Sequence, residues 1–139
     1  MSESDPATKN AKTSGPSLRL LVIDDNHDAA DTMAMLLRVM GHQASVAYSG
    51  ATGVERAIAE SPDAVILDLG LPEIDGYEVA RRIRQHSHLA QVPLVAVTGY
   101  GQDSDRERSL EAGLAAHIVK PVDSRKLGEI LATVVRSKA

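Results

Sequence analysis

Three aspartates, a threonine and a lysine stand at the ends of short apolar runs in this chain. Asp24 and Asp25 follow LRLLVI, Asp68 closes AVILD, Thr98 follows PLVAV, and Lys120-Pro121 follows AHIV. A carboxylate is among the groups most costly to take out of water, so an apolar run that stops on one needs a use for the charge. Singly, each residue could be solvated in a loop or cap a helix. Three acids, a hydroxyl and an amine meeting at one place are harder to obtain that way. Two unit charges about 4 Å apart repel by roughly 1 to 4 kcal/mol between bulk-water and near-surface conditions, so clustered carboxylates need a cation to stay ionised together. With oxygen donors, no Cys and no adjacent His pair, Mg²⁺ is favoured over zinc, and it would keep open positions for phosphate oxygens. Lys120 adds a mobile positive charge and Thr98 a donor. The set suits a phosphoryl group, and Asp68 is the candidate nucleophile that accepts it.

For these residues to meet, the runs must lie side by side with their carboxyl ends at one edge, where open parallel sheets bind ligands. Strands are expected at 18–23, 43–48, 64–68, 93–97 and 116–119. In the first intervening helix, Met33, Leu36, Leu37 and Met40 recur at i, i+3, i+4 and i+7, and Gly41 stops it. Ser49 can cap a second helix that runs to about Glu60. Asp75 and Glu78 form a capping box, with Ile74 and Val79 at the positions of a hydrophobic staple, for a third that ends near His86. Ser104 and Glu107 can box a fourth, stopped by Gly113, whose charged residues are expected on a solvated face. The fifth, from Ser124, carries Leu127, Ile130, Leu131, Val134 and Val135 on one stripe, with Gly128 on the polar side. Short apolar strands without period-2 patterning, alternating with helices, predict an α/β domain whose parallel sheet is covered on both faces.

A chain of 139 residues, 43% of them hydrophobic, is the size of one domain with a real core. Residues 1–17, MSESDPATKNAKTSGPS, hold too little apolar surface to offset ordering entropy and are expected to be a flexible polar tail. The lack of Cys removes disulfides and thiolate metal sites and suits a reducing compartment. No apolar run approaches the ~18 residues of a membrane span, so a cytoplasmic location without membrane attachment is expected. A net charge of −4 offers no general basic face for nucleic acid. With no Phe or Trp and three Tyr, the core must be aliphatic, and base-stacking platforms are excluded.

The stretches LLVIDDN, VILDLGLPEIDGYE, VAVTGYG and HIVKP follow one another in this order, and over residues 18–137 the chain resembles the receiver domain of two-component response regulators, of the stand-alone, chemotaxis-regulator-like type. The resemblance implies a doubly wound, flavodoxin-like sheet of five parallel strands in the order 2-1-3-4-5. It implies that Asp68 is the phosphoacceptor, supplied by a phosphohistidine on a histidine kinase or histidine phosphotransfer protein. Asp25, Asp68 and the backbone carbonyl of Gly70 would ligate Mg²⁺, with Asp24 acting through a bound water. Lys120 would pair with the acceptor and then with the phosphoryl oxygens, aimed by a turn with a cis bond before Pro121. Thr98 would be the switch, coupled to the residue three before the lysine, and the signal would leave through the fourth helix, fifth strand and fifth helix. Such a domain is a switch rather than an enzyme, catalysing only its own phosphoryl transfer and slow self-dephosphorylation. With no output domain expected after residue 137, output would be contact with a downstream protein, by a monomer or weak dimer. A shuttle or sink in a phosphorelay and the receiver segment of a hybrid histidine kinase are the other placements.

Some residues depart from the family pattern. His117 occupies the switch position where Tyr or Phe is usual, and an unperturbed pKa near 6.5 lets it carry charge; the other reading is a half-exposed strand histidine without a switch role. Gly70 and Tyr100 occupy the two positions that modulate the life of the phosphoryl group. Tyr100 is expected to shield it. A small Mg²⁺-dependent phosphatase would need a second acid two residues after Asp68, where Gly70 stands. A flavin or nucleotide carrier would need a Gly-rich loop in place of Asp24-Asp25-Asn26. His86 and His88, two apart, would fall on different faces of a helix and make no metal pair, and His27 reads as a polar residue of a first helical turn.

Overall fold

The computed structural model describes residues 17–71, 75–99 and 113–138. Strands β1 (Arg19–Ile23), β2 (Gln43–Ala47), β3 (Ala64–Asp68), β4 (Leu94–Thr98) and β5 (Ala116–Val119) form one sheet in the order β2-β1-β3-β4-β5, every pairing parallel. This is the strand order that the resemblance implied. The described helices are α1 (His27–Val39), α2 (Gly50–Glu60), α3 (Gly76–Arg84) and α4 (Ser124–Lys138), the last being the helix expected fifth. The helix expected from Ser104, its capping box and charge run, residues 1–16 of the expected tail, Ile74 of the staple, and Tyr100 lie outside the described residues.

Strand β3 is buried along its whole length, and apolar up to its last residue, Asp68, because both of its faces are covered. Val65 and Leu67 join Leu21 and Ile23 in one core, with Ala57 of α2 and Val79, Ala80 and Ile83 of α3. Ala64 and Ile66 join Leu20, Val22, Val95 and Val97 in a second core, with Ala30 and Leu37 of α1 and Leu127, Leu131 and Val134 of α4.

The helices start on side-chain caps. Asn26, Ser49 and Asp75 accept from the N–H groups of Ala29, Thr52 and Glu78 at 3.0, 3.1 and 2.9 Å, each quieting one donor that a first turn leaves unpaired. The cap at Asn26 was not foreseen. In α3 the Glu78 carboxylate is taken up by Arg81 and Arg82, at 2.6 and 3.0 Å. Gly41 and Gly113 have φ of 100° and 79°, the left-handed backbone that glycine adopts without penalty.

Helix α3 stops at Arg84, short of the expected His86. The N–H groups of Gln85 and His86 reach back only to Arg82 O and Ile83 O, a 3₁₀ tightening that leads into the turn at Ser87–Leu89. Gly128 is half-buried instead of lying on a polar side. A Cβ there would stand 3.4 Å from Met40 Cε, because α4 rests against the end of α1 as well as on the sheet. Among the described residues no helix is long and apolar enough to cross a membrane.

Candidate functional site

Four strands end at one edge and carry the site. Asp24 follows the last residue of β1, and its N–H donates to Ala47 O on β2 at 3.1 Å. Asp68, the last residue of β3, pairs in register with Val97, and the next N–H, that of Leu69, donates to Val97 O at 3.1 Å. Thr98 pairs with Val119, and the Lys120 N–H donates to Thr98 O at 2.8 Å. The parallel ladder thus continues just past the strands, which holds the backbone carrying these side chains in place. The Lys120–Pro121 peptide is cis.

Carboxylate oxygens of Asp24, Asp25 and Asp68 lie within 4.8 Å of one another. Asp24 and Asp68 are only 7% and 9% exposed, while Asp25 faces solvent. The Asn26 N–H donates to Asp24 Oδ1 at 3.0 Å and the Gly70 N–H to Asp68 Oδ1 at 2.8 Å. Lys120 Nζ stands 3.6 Å from Asp68 Oδ2, a charge contact longer than a hydrogen bond. Burial raises the Asp24 carboxyl to about 6 and the charge on Asp68 adds to the rise, with the Asn26 amide and Lys120 opposing. One amine cannot balance three crowded acids. The donor set is all oxygen, partly sunk and over-charged, and it fits a hard divalent cation.

Gly70 leaves room beside Asp68: a Cβ there would meet only Asp68 Oδ1, at 3.5 Å. Thr98 and His117 are both half-buried. With Ala96 paired to His117 and Thr98 to Val119, alternation along the strands puts Thr98 and His117 on the same face of the sheet. His86 and His88 have ring centroids 6.3 Å apart at 70°, and His88 Nε2 sits 3.2 Å from Ile58 O.

Two features were not legible in the sequence. The ring of His27 stacks on Tyr48, centroids 3.8 Å apart and 15° from parallel, and the Tyr48 hydroxyl donates to Asp31 at 2.6 Å. A groove of about 460 Å³ also opens from the carboxylates between α1 and residues 120–122. Both depend on how closely the start of α1 approaches elements distant in sequence. Periodicity carries no signal for that distance.

The family model for the response regulator receiver domain matches residues 20–132. The transcriptional regulatory protein AfsQ1 of Streptomyces coelicolor is 36% identical over 84% of this chain and 51% of its own length. Protein PilH of Pseudomonas aeruginosa is 29% identical over 78% of this chain and 90% of its own. The chain therefore spans about half the length of relatives such as AfsQ1 and most of PilH. Among solved structures, the receiver domain of sensor histidine kinase PA1611 from Pseudomonas aeruginosa PAO1, with a magnesium ion coordinated in its active-site cleft, superposes with a TM-score of 0.79. It shares 29% identity, over 87% of this chain and 99% of that one. A match across so much of the chain, on a sheet of this order with acids at this edge, leaves one assignment: the chain belongs to the response regulator receiver domains of two-component signalling.

Proposed function

We propose that this protein is a phosphorylation-controlled switch in which Asp68 accepts a phosphoryl group from a phosphohistidine on a histidine kinase or histidine phosphotransfer protein. The observation that carries the reading is the setting of Asp68. It is a nearly buried carboxylate at the tip of the central strand, with Lys120 Nζ at 3.6 Å and two further acids around it.

Asp25, Asp68 and the Gly70 carbonyl would hold Mg²⁺, with Asp24 acting through a bound water, and the magnesium in the PA1611 receiver supports this by analogy. When bound, the ion supplies charge neutralisation on the phosphoryl oxygens. One carboxylate oxygen of Asp68 forms the new bond to phosphorus as the bond to the donor's imidazole nitrogen breaks, the electron pair returning to the imidazole. Lys120, held by its backbone bond to Thr98 O, follows the charge from the free carboxylate to the phosphoryl group. The Thr98 hydroxyl then donates to a phosphoryl oxygen. Because His117 shares its face of the sheet, the face covered by α2 and α3, movement of Thr98 is passed along that face to β5, where a downstream protein reads it.

The test is incubation with Mg²⁺ and acetyl phosphate, read by intact mass. The wild type should gain one phosphoryl group that is stable to acid and labile to base, and Asp68→Asn should gain none. A wild type that stays unmodified refutes the reading.

A second placement, a receiver that passes its phosphoryl group along a relay, is favoured by the likeness to a receiver of a sensor kinase. It is separated from the first by mixing the phosphorylated protein with histidine phosphotransfer domains. Rapid loss of the group to a histidine supports the relay. Slow loss to water alone supports a terminal switch.

A further inference from the structure

The groove beside the carboxylates is large for a site that handles only a phosphoryl group. Its volume of about 460 Å³ falls within the range of small-molecule sites, roughly 300 to 1,000 Å³. Asp24, Asp68 and Lys120 line its polar end, so it is continuous with the acceptor. The remainder is mostly apolar: Ala29, Met33 and Leu36 of α1 line one wall, with Asn26, Asp28 and Thr32 adding polar groups on that side, while Pro121 and Val122 belong to the other and Val22, Ile66 and Val97 contribute from the second core. The chain has no Phe or Trp to fill such a space.

An occupant that reacts with Asp68 must place a phosphoryl group against Lys120 and leave an apolar remainder for the groove. We propose that this groove is a leaving-group site that makes medium-chain acyl phosphates, such as butyryl and hexanoyl phosphate, better small phosphodonors than acetyl phosphate. The proposal rests on Asp68 being the acceptor. The step balances without a further reactant: a carboxylate oxygen of Asp68 bonds to phosphorus, the bond from phosphorus to the acyl oxygen breaks, and its electron pair leaves with the fatty carboxylate. These donors have nearly the same leaving group, so chain length acts through binding and not through chemistry. Since the chain contacts the groove alike before and during transfer, the gain belongs in KM.

The experiment follows phosphorylation of the full chain by intact mass, with Mg²⁺ and equal sub-saturating concentrations of acetyl, butyryl and hexanoyl phosphate. Each methylene taken from water is worth a rate factor of roughly four, so butyryl phosphate should label the wild type on the order of tenfold faster than acetyl phosphate. Thr32 is exposed on α1 at the groove. Thr32→Phe should keep the acetyl phosphate rate and lose the chain-length gain, and Ala29→Leu gives the same readout from the wall should the first variant fold poorly. Equal wild-type rates from the three donors would overturn the proposal, as would a gain that survives in both filled variants. Labelling by acetyl phosphate without any chain-length gain overturns the groove alone; no labelling of the wild type by any donor overturns the acceptor reading and the groove with it.

Discussion

Asp24 and Lys120 show how unevenly charge is arranged around Asp68. Asp24 is sunk into the end of the sheet and lies beside Asp68, and among the described residues the Asn26 N–H donates to it. In the metal-free protein at neutral pH that carboxylate is a burden on the fold. Asp24→Asn keeps an oxygen for the Asn26 N–H and removes the repulsion. It should therefore raise stability in urea by about 1 kcal/mol when divalent ions are chelated, solvent screening having trimmed the full effect. Lys120 stands the other way round. It is 42% exposed and 3.6 Å from its partner, so Lys120→Ala should change stability by less than about 1 kcal/mol. Labelling by acetyl phosphate should nevertheless fall on the order of 10²- to 10³-fold, because in the proposed transfer the amine acts where charge develops. Lys120→Arg should restore little, since a planar fork does not replace a compact mobile ammonium. A wild-type labelling rate in Lys120→Ala would remove the lysine from the mechanism.

Helix α2 shows how an element holds the site from behind. A Cβ on Gly53 would stand 2.5 to 2.9 Å from three side-chain atoms of Ile23, which is fully buried and cannot yield. Gly53→Ala should cost about 1 to 3 kcal/mol of stability in denaturant titration, and Ile23→Val in the same chain should recover part of it. Gly70→Ala, with only ordinary contact at its Cβ, should be close to neutral. At the opposite end of β1, the Leu18 N–H donates to His42 Nδ1 at 3.1 Å, and burial lowers the His42 pKa below its usual 6.5. The native state therefore binds fewer protons than the unfolded chain as pH falls through that value. This part of the stability is present above about pH 6.5 and is lost as pH falls toward the lowered native value. His42→Ala should be less stable than wild type at about pH 7.5, and the gap should narrow by about pH 5.5. A constant gap would show that the imidazole contributes packing alone. Much at this scale was legible beforehand: Ser49 and Asp75 as caps, and Gly41 as a stop, because a cap is a short-range contact written in adjacent residues. Gly128 against Met40 was not, since a helical wheel assumes one buried stripe and α4 meets two partners.

Across the whole molecule, one sheet separates two aliphatic cores, and the acids sit where the sheet runs out. The alternation of strand and helix patterns, together with the carboxyl-end rule for open parallel sheets, made that edge legible as the place where Asp24, Asp25, Asp68, Thr98 and Lys120 would meet. The strand order came from the resemblance to a family, because apolar strands look alike and their spacing does not say which lie side by side. The depth of the groove and the stacking of His27 on Tyr48 needed coordinates. The fold thus joins acids from two neighbouring strand ends whose mutual repulsion opposes folding, and a bound cation would relieve it. A ligand that binds only the folded chain stabilises it by RT ln(1 + [L]/Kd), about 1.4 kcal/mol at a tenfold excess over Kd. For a chain of this size that should raise Tm by about 4 °C. The rise should follow Mg²⁺ concentration in wild type and vanish in Asp25→Asn, an exposed position where substitution leaves the core untouched. Na⁺ at matched ionic strength separates binding from screening, because screening relaxes the carboxylates in proportion to ionic strength whichever cation supplies it. A Tm that climbs equally with Na⁺ and Mg²⁺ would mean that the three acids are merely crowded, and the edge of the sheet would lose its claim to be a metal site.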